Sequence, residues 1–572
     1  MLKNFYLTLF FFIFFYLGLY PNIIYAQEKE IQNKIKLYLT GRILDSHKEP
    51  VEEADVKILI NKKEYFSTKT SSKGTFQIEI FLSKKTFEEA NISLKIEKTA
   101  FKTAFYEIKK DEFAKKEKNF YWNKNFILER AITPAFWIAT LIFIFTYLLI
   151  SFELLHRTIS AMLGSAFILI ITYTLGTLDP AYHILSFEKA IECIDMNVIF
   201  LLMGMMIIVG VLKHTGVFQW CAYMSYRLAK GNVMILAIIS CFFIAITSAF
   251  LDNVTTMLLY TPVLIEISIA LKINPFSLLL PGIMASNVGG TATLIGDPPN
   301  ILIGSYSGLT FMQFVKNLII PVIISMFFLI LYNKFFFSKE YHKGKIENID
   351  EFIAKLREEY KIKDRTLLIY GSLIMSIVIF FFITHGYWHM EACIPALFGG
   401  ALLFTYSVAT KKVNLLELIE KDIEWCTLLF FIFLFILVGA VQEVGLLDLI
   451  ADWVYKVSHG NLNLAICIII WVAAIMSAFV DNIPFTATML PIVGYLTKII
   501  PGAESNVLWW ALALGACFGG NGTLIGASAN VVTIGIAESI GYKITFFEFM
   551  KYAFIYMILT ILISNIWLII AY

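Results

Sequence analysis

A six-residue string set in an apolar stretch, Ser248-Ala249-Phe250-Leu251-Asp252-Asn253, recurs 229 residues later as Ser477-Ala478-Phe479-Val480-Asp481-Asn482. A second string follows each copy. Gly289-Gly290-Thr291-Ala292-Thr293-Leu294-Ile295-Gly296 is echoed by Gly519-Gly520-Asn521-Gly522-Thr523-Leu524-Ile525-Gly526. Around them Pro262 maps onto Pro491, Asn300 onto Asn530, and Gly210 and Gly216 onto Gly439 and Gly445. Two copies of one unit, each with a carboxylate and a glycine-rich break in apolar surroundings, constrain the fold more than any single motif.

The surroundings are those of a bilayer. Of 572 residues, 58% are hydrophobic and 16% charged, against roughly 45–50% and about 25% in globular chains. This excludes a cytosolic enzyme and a disordered scaffold. The balance of 46 basic and 44 acidic residues offers no field for nucleic acid. Apolar stretches able to cross a core of about 30 Å run from Pro134–Leu154 to Tyr552–Ile570. Pro275–Leu309 would be about 50 Å long as one straight helix. It carries paired glycines and paired prolines midway, so a broken helix is expected.

The chain divides into a signal peptide (1–26), an exported β-domain (27–130), a first transporter repeat (131–337), a cytoplasmic linker (338–365) and a second repeat (366–572). Lys3, the apolar run Phe5–Leu19 and Ile24-Tyr25-Ala26 have the layout of a secretory signal; an uncleaved anchor helix is the alternative. Period-two alternation at Lys36–Thr40, Val56–Ile60, Thr75–Ile80 and Ile92–Ile96 predicts strands, with turns at Asn61-Lys62-Lys63 and Lys73-Gly74. The runs Leu39–Asp45, Pro50-Val51, Ala54–Val56 and Thr70–Phe76 resemble the carboxypeptidase regulatory-like β-sandwich family, which implies an accessory module. All seven cysteines lie beyond this domain and none forms a C-x-x-C pair, so they read as packing residues.

With the N-terminal domain outside, successive crossings place the connection Lys213–Lys230, the linker, and Lys411, Lys412 and Lys421 inside, while Thr384–Glu391 carries no Lys or Arg and falls outside. The positive-inside rule is met at each. The crossing count also gives the two repeats opposite orientations, the architecture of secondary transporters with a site at the repeat interface.

Asp252 and Asp481 each separate two apolar stretches. They are either surface turns between full spans or tips of re-entrant hairpins, and their repetition in an inverted copy favours the hairpin. There Asn and Thr side chains with freed carbonyls can replace an ion's hydration shell, and helix N-termini attract anions. Gly289-Gly290 allows close approach and positive φ; tight helix packing is the alternative. Asp297-Pro298-Pro299-Asn300 ends the first break.

These strings resemble the ion transporter superfamily, in the branch of arsenite permeases, NhaD-type sodium–proton antiporters, the pigmentation P protein and citrate-transporter-like permeases, over residues 133–572. The resemblance implies an α-helical polytopic membrane protein with inverted repeats, re-entrant hairpins and broken helices, following the small N-terminal β-sandwich. It further implies an elevator-type secondary transporter, a homodimer in a bacterial-type inner membrane. Carried onto this chain, the site comprises Asp252, Asn253, Thr255, Thr256, Gly290, Thr291, Thr293, Asp297 and Asn300, with Asp481, Asn482, Thr486, Gly520, Asn521, Thr523 and Asn530. Na⁺ would lie near Asp252, Asn253, Asp481 and Asn482. The second copy reads Ala527-Ser528-Ala529-Asn530, so Asp297 has no carboxylate counterpart.

The expected function is transport of a small inorganic ion coupled to Na⁺ or H⁺ by antiport, using Asp252, Asp481 and Asp297, with no other cofactor and the lipid bilayer and ion as partners. An anion permease for citrate, another dicarboxylate, sulfate or arsenite is the alternative, disfavoured by the absence of Arg and Lys from the motifs. A receptor lacks a cytoplasmic effector segment, and a hydrolase lacks a Ser/His/Asp or H-E-x-x-H arrangement. The histidines His156, His214, His385 and His389 fall at span ends and read as interfacial.

Overall fold

The computed structural model describes residues 34–45, 50–116, 119–343, 354 and 356–572, in two compact units, 1–136 and 137–572. The signal peptide expected at 1–26 lies outside the described residues.

The first unit contains two facing sheets. One has the order β4 (Thr75–Ser83), β1 (Lys34–Asp45), β8 (Asn119–Asn123), β7 (Ala114–Lys116), with β9 (Phe126–Leu128) continuing along β1. The other has the order β3 (Lys63–Lys69), β2 (Asp55–Ile60), β5 (Ile92–Glu97), β6 (Ala104–Ile108). Alternation sends Leu37, Leu39, Ile78 and Ile80 from the first sheet against Val56, Ile58, Leu94 and Ile96 from the second. Asn61 and Lys62 take φ of 50° and 66°, the left-handed pair that a two-residue hairpin turn requires. Four strands follow the expected alternation. Strands β3 and β6 to β9 were not foreseen: β3 is almost wholly exposed and so shows no apolar alternation, and β6 to β9 are three to five residues long and separated by Lys-rich stretches.

The second unit is helical and doubled. Its first half comprises α1 (Pro134–Ser151), α2 (Arg157–Leu178), α3 (Met196–His214), α4 (Val217–Ala229), α5 (Val233–Phe250), α6 (Asn253–Ala270), α7 (Phe276–Gly290), α8 (Pro298–Ser307) and α9 (Phe311–Phe336). Its second half comprises α10 (Arg365–Thr384), α11 (Cys393–Ala409), α12 (Trp425–Glu443), α13 (Leu446–Ser458), α14 (Leu462–Phe479), α15 (Asn482–Ile499), α16 (Val507–Gly519), α17 (Ser528–Ser539) and α18 (Phe546–Ala571). From α3 to α6 every helix start and end recurs in α12 to α15 at the same displacement of 229 residues, Met196 onto Trp425 and Ala270 onto Ile499. The caps repeat as well. Asn232 accepts from Ile235 N, and Asn461 from Leu464 N. Gly216 and Gly445 turn the chain at φ of 77° and 86°, a conformation a side chain would strain.

Among the described residues ten helices are long and apolar enough to cross a membrane. The connection expected at Lys213–Lys230 is instead largely the helix α4. Its thirteen residues reach about 20 Å, too short to span. It is amphipathic, burying Phe218, Ala222, Tyr223, Tyr226 and Ala229.

Pairings at the helix ends define two faces. On the first, Thr158 Oγ1 donates to Cys426 O (2.8 Å), Lys363 N to Thr215 O (2.9 Å), and Lys213 Nζ lies 3.2 Å from Asp422 Oδ1. On the second, Asn197 Nδ2 donates to Ser305 Oγ (2.9 Å), Asn197 Oδ1 accepts from Cys393 N (2.9 Å), and Phe311 N donates to His385 Nε2 (3.1 Å).

The hairpin α5–α6 leaves and regains the first face, where Asn274 N donates to Glu340 Oε1 just beyond α9. Its tip meets the break between α7 and α8, with Asn253 Nδ2 3.2 Å from Asp297 Oδ1. The ten residues of α8 run on from that break to the second face. The tip therefore stops inside the unit, and the pair is re-entrant. The hairpin α14–α15 repeats this from the second face, where Tyr495 OH donates to Asp452 Oδ1 of α13.

Candidate functional site

Each break is built by the same hydrogen bonds in both repeats. Ser248 Oγ donates to Ser286 O (2.7 Å) and Ser477 Oγ to Ala516 O (2.6 Å). Thr293 Oγ1 donates to Ala249 O (2.5 Å), as does Thr523 Oγ1 to Ala478 O. Asn300 Nδ2 takes up the carbonyls of Thr291 and Thr293 (3.0 and 2.8 Å), and Asn530 Nδ2 those of Gly520 and Thr523 (both 2.8 Å). The Thr and Asn side chains satisfy carbonyls that the unwound helix ends leave without intrahelical partners, and the serines tie each hairpin to the helix that leads into the break.

The glycines serve close approach alone. Gly289 and Gly290 do not take the positive φ that the sequence allowed, and their counterparts Gly519 and Gly520 do not either. A Cβ on Gly289 would stand 2.3 Å from Ala245 O, and one on Gly519 2.5 Å from Ala474 O. Gly290 and Gly520 face Gly296 and Gly526 across their breaks.

Where the two repeats meet, amides surround one carboxylate. Asp297 is fully buried. Its Oδ1 accepts from Asn253 Nδ2 of the first hairpin (3.2 Å) and Asn482 Nδ2 of the second (3.4 Å). Its Oδ2 has no hydrogen-bond partner, and the Cys517 thiol lies beside the carboxyl. Asn287 Oδ1 accepts from Asn253 Nδ2 (3.1 Å), while its Nδ2 reaches Asn521 Oδ1 (3.0 Å) and Asn530 Oδ1 (3.1 Å). Asn521 Nδ2 and Thr256 Oγ1 are buried without partners. Helices α6, α8, α15 and α17 all begin here, directing their positive ends at the centre.

The remaining expected residues stand around this core. Asp252 caps α6, its oxygens taking Thr255 N (2.8 Å) and Thr255 Oγ1 (2.5 Å). Thr291 and Thr486 back-bond to Asn287 O and Asn482 O (both 2.7 Å). Asp481 caps α15 through Ile483 N (3.2 Å). Its Oδ2 is ion-paired with Arg157 Nη1 at 2.9 Å. The same Nη1 donates to Ser528 Oγ (2.5 Å), which donates to Asp481 Oδ2 (3.2 Å), and Arg157 Nη2 reaches Thr427 Oγ1 (3.3 Å). The motifs hold no Arg or Lys, yet a guanidinium reaches the site from α2. The second copy's departure from Asp-Pro-Pro-Asn supplies Ser528 for this contact.

A cavity of about 490 Å³ joins this tip to the first face, lined by Ile150, Ser151, Glu153, His156, Arg157 and Asp481 among others. A second cavity of about 290 Å³, lined by Asn197, Leu294, Ser305, His385 and Glu391 among others, lies at the second face and touches neither tip. The Asp481 tip is thus open toward the first face, while Asp297 stays buried behind it. Among the described residues no three His, Cys, Asp or Glu side chains cluster as metal ligands.

A profile of the citrate transporter family (CitMHS) matches residues 147–515. The chain belongs to that family. It is a membrane transporter of the ion transporter superfamily, not an enzyme. An uncharacterized transporter of Mycobacterium tuberculosis is 38% identical over 433 residues, 75% of this chain and 97% of its own length. The P protein of Homo sapiens is 33% identical over 510 residues, covering 76% of this chain and 60% of that protein. The crystal structure of the YdaH transporter of Alcanivorax borkumensis aligns at a TM-score of 0.48 and 14% identity, over 72% of this chain and 98% of that one.

Two residues of this citrate-family centre escaped the sequence reading. Asn287 carried a usable signal, an amide three residues before the end of an apolar helix and beside the Gly-Gly pair. Arg157 carried none, since its partner is 324 residues away.

Proposed function

We propose that this transporter exchanges a small inorganic cation, Na⁺ in the first instance, for protons, with Asp297 as the group that alternates between them. The observation that carries this reading is the buried carboxylate held by both hairpin tips, with one oxygen left unpaired. An ionised group in such surroundings is costly unless a proton or cation accompanies it. The amides of Asn253, Asn287, Asn482 and Asn521 offer oxygens suited to a dehydrated alkali ion. The excess of Lys and Arg at the first face supports its assignment as cytoplasmic, with residues 27–130 on the other side of an inner membrane.

The test is reconstitution in liposomes with internal pH followed on adding Na⁺ or Li⁺. Cation-driven proton movement that is lost in Asp297→Asn is expected; movement retained in that variant contradicts the assignment. A second reading, a citrate-type anion permease, draws on the family's description and on Arg157 at the cavity wall. Citrate uptake without cation–proton exchange in the same liposomes would favour it.

A further inference from the structure

We propose that Arg157 is a tethered competitor for Asp481, a resident cation that holds the second hairpin tip while the site opens to the first face and that an entering cation displaces. The inference rests on the cation-coupled reading above. Arg157 begins α2, which packs along α12, and two of its neighbours belong to α12: Thr427, which accepts from Nη2, and Phe430, whose ring centre lies 5.2 Å from the guanidinium carbon. Its other two partners, Asp481 and Ser528, belong to the hairpin and to the second broken helix. One guanidinium therefore bridges two helix groups, and it keeps a docking place on α12 when Asp481 is taken from it.

The setting makes the bond exchangeable. The Arg157 and Asp481 side chains keep 22% and 13% of their exposure and both line the large cavity. An entering cation can therefore reach the carboxylate through the cavity and compete with the guanidinium for it. Thr427 Oγ1 in turn donates a hydrogen bond to Glu424 Oε2 (3.0 Å), which leaves the displaced guanidinium an acidic neighbour on the α12 side.

The repeats add direction. Thr158 meets Cys426 at the start of α12 as Cys393 meets Asn197 at the start of α3, so Arg157 corresponds to Ala392. Were the two repeats to exchange conformations, opening the site to the second face, Asp252 would meet that alanine and find no cation. Competition then acts on one side only, assisting release of the transported ion at the first face.

The experiment uses full-length protein with Arg157→Gln, Arg157→Lys and Ser528→Ala, each checked for monodispersity. Dicyclohexylcarbodiimide labelling of Asp481, read by peptide mass spectrometry with and without Na⁺, is paired with Na⁺-driven proton flux in liposomes. In Arg157→Gln, Asp481 labelling should rise severalfold, Na⁺ should suppress it, and half-saturating Na⁺ at the first face should fall about fivefold. Arg157→Lys should stay near wild type, and Ser528→Ala should shift in the same direction by less. Wild-type exchange with unchanged labelling and half-saturation in Arg157→Gln would overturn this inference and leave the cation reading standing. Citrate uptake abolished by Arg157→Gln, without any cation-driven flux in wild type, would overturn both.

Discussion

Three aspartates at equivalent levels of an apolar protein do three different things. Asp252 closes its own helix through Thr255, Asp481 caps a helix and pairs with Arg157, and Asp297 is pinned by both tips with one oxygen unpaired. Asp252, Asp481 and the glycines were legible in the sequence because each recurs in an inverted copy, and Asp297, which Ala527 replaces there, because it opens the Asp-Pro-Pro-Asn string that ends the first break. Their division of labour was not, because it depends on partners hundreds of residues distant. The glycine geometry gives a direct check. Gly289→Ala and Gly519→Ala would push a methyl into backbone at 2.3 and 2.5 Å and should destabilise by about 1–3 kcal/mol. Gly535→Ala, with nothing within 4 Å of its Cβ and an ordinary helical backbone, should be neutral or stabilising. Melting temperatures in detergent distinguish the three; equal shifts would contradict the close-packing account.

Among elements, apolar length and repetition exposed the spans, hairpins and breaks. The amphipathic helices α4 and α13 stayed hidden, since thirteen residues interrupted by charge look like a loop until a neighbour receives their apolar face. The first face is stapled by such polar ends. Burial alone would raise the Asp422 carboxyl, but hydrogen bonds from His214 (2.9 Å) and Lys213 (3.2 Å) outweigh it and hold the group below the usual carboxylate range. A carboxyl depressed on folding lends stability above its unfolded pKa, about 3.9 for Asp, and that stability is lost as pH falls through the lower folded value. Asp422→Asn should thus lower the melting temperature at pH 7, by about 1–3 kcal/mol in stability. The gap from wild type should close below about pH 4. A pH-independent gap would contradict the ion-pair origin.

For the molecule as a whole, the β-domain has its own two-sheet core and the described site residues all belong to the helical unit. Deleting residues 27–130 should leave transport rates within about twofold once insertion is matched; abolished transport would assign the domain a part in the cycle. The central claim is that both repeats converge on one carboxylate that exchanges a proton for the transported cation. Equilibrium binding of radioactive Na⁺ to the purified full-length protein, with proton release recorded in the same titration, tests it most directly. The account predicts saturable binding accompanied by proton release, both lost in Asp297→Asn. Binding and proton release that persist unchanged in that variant would contradict it.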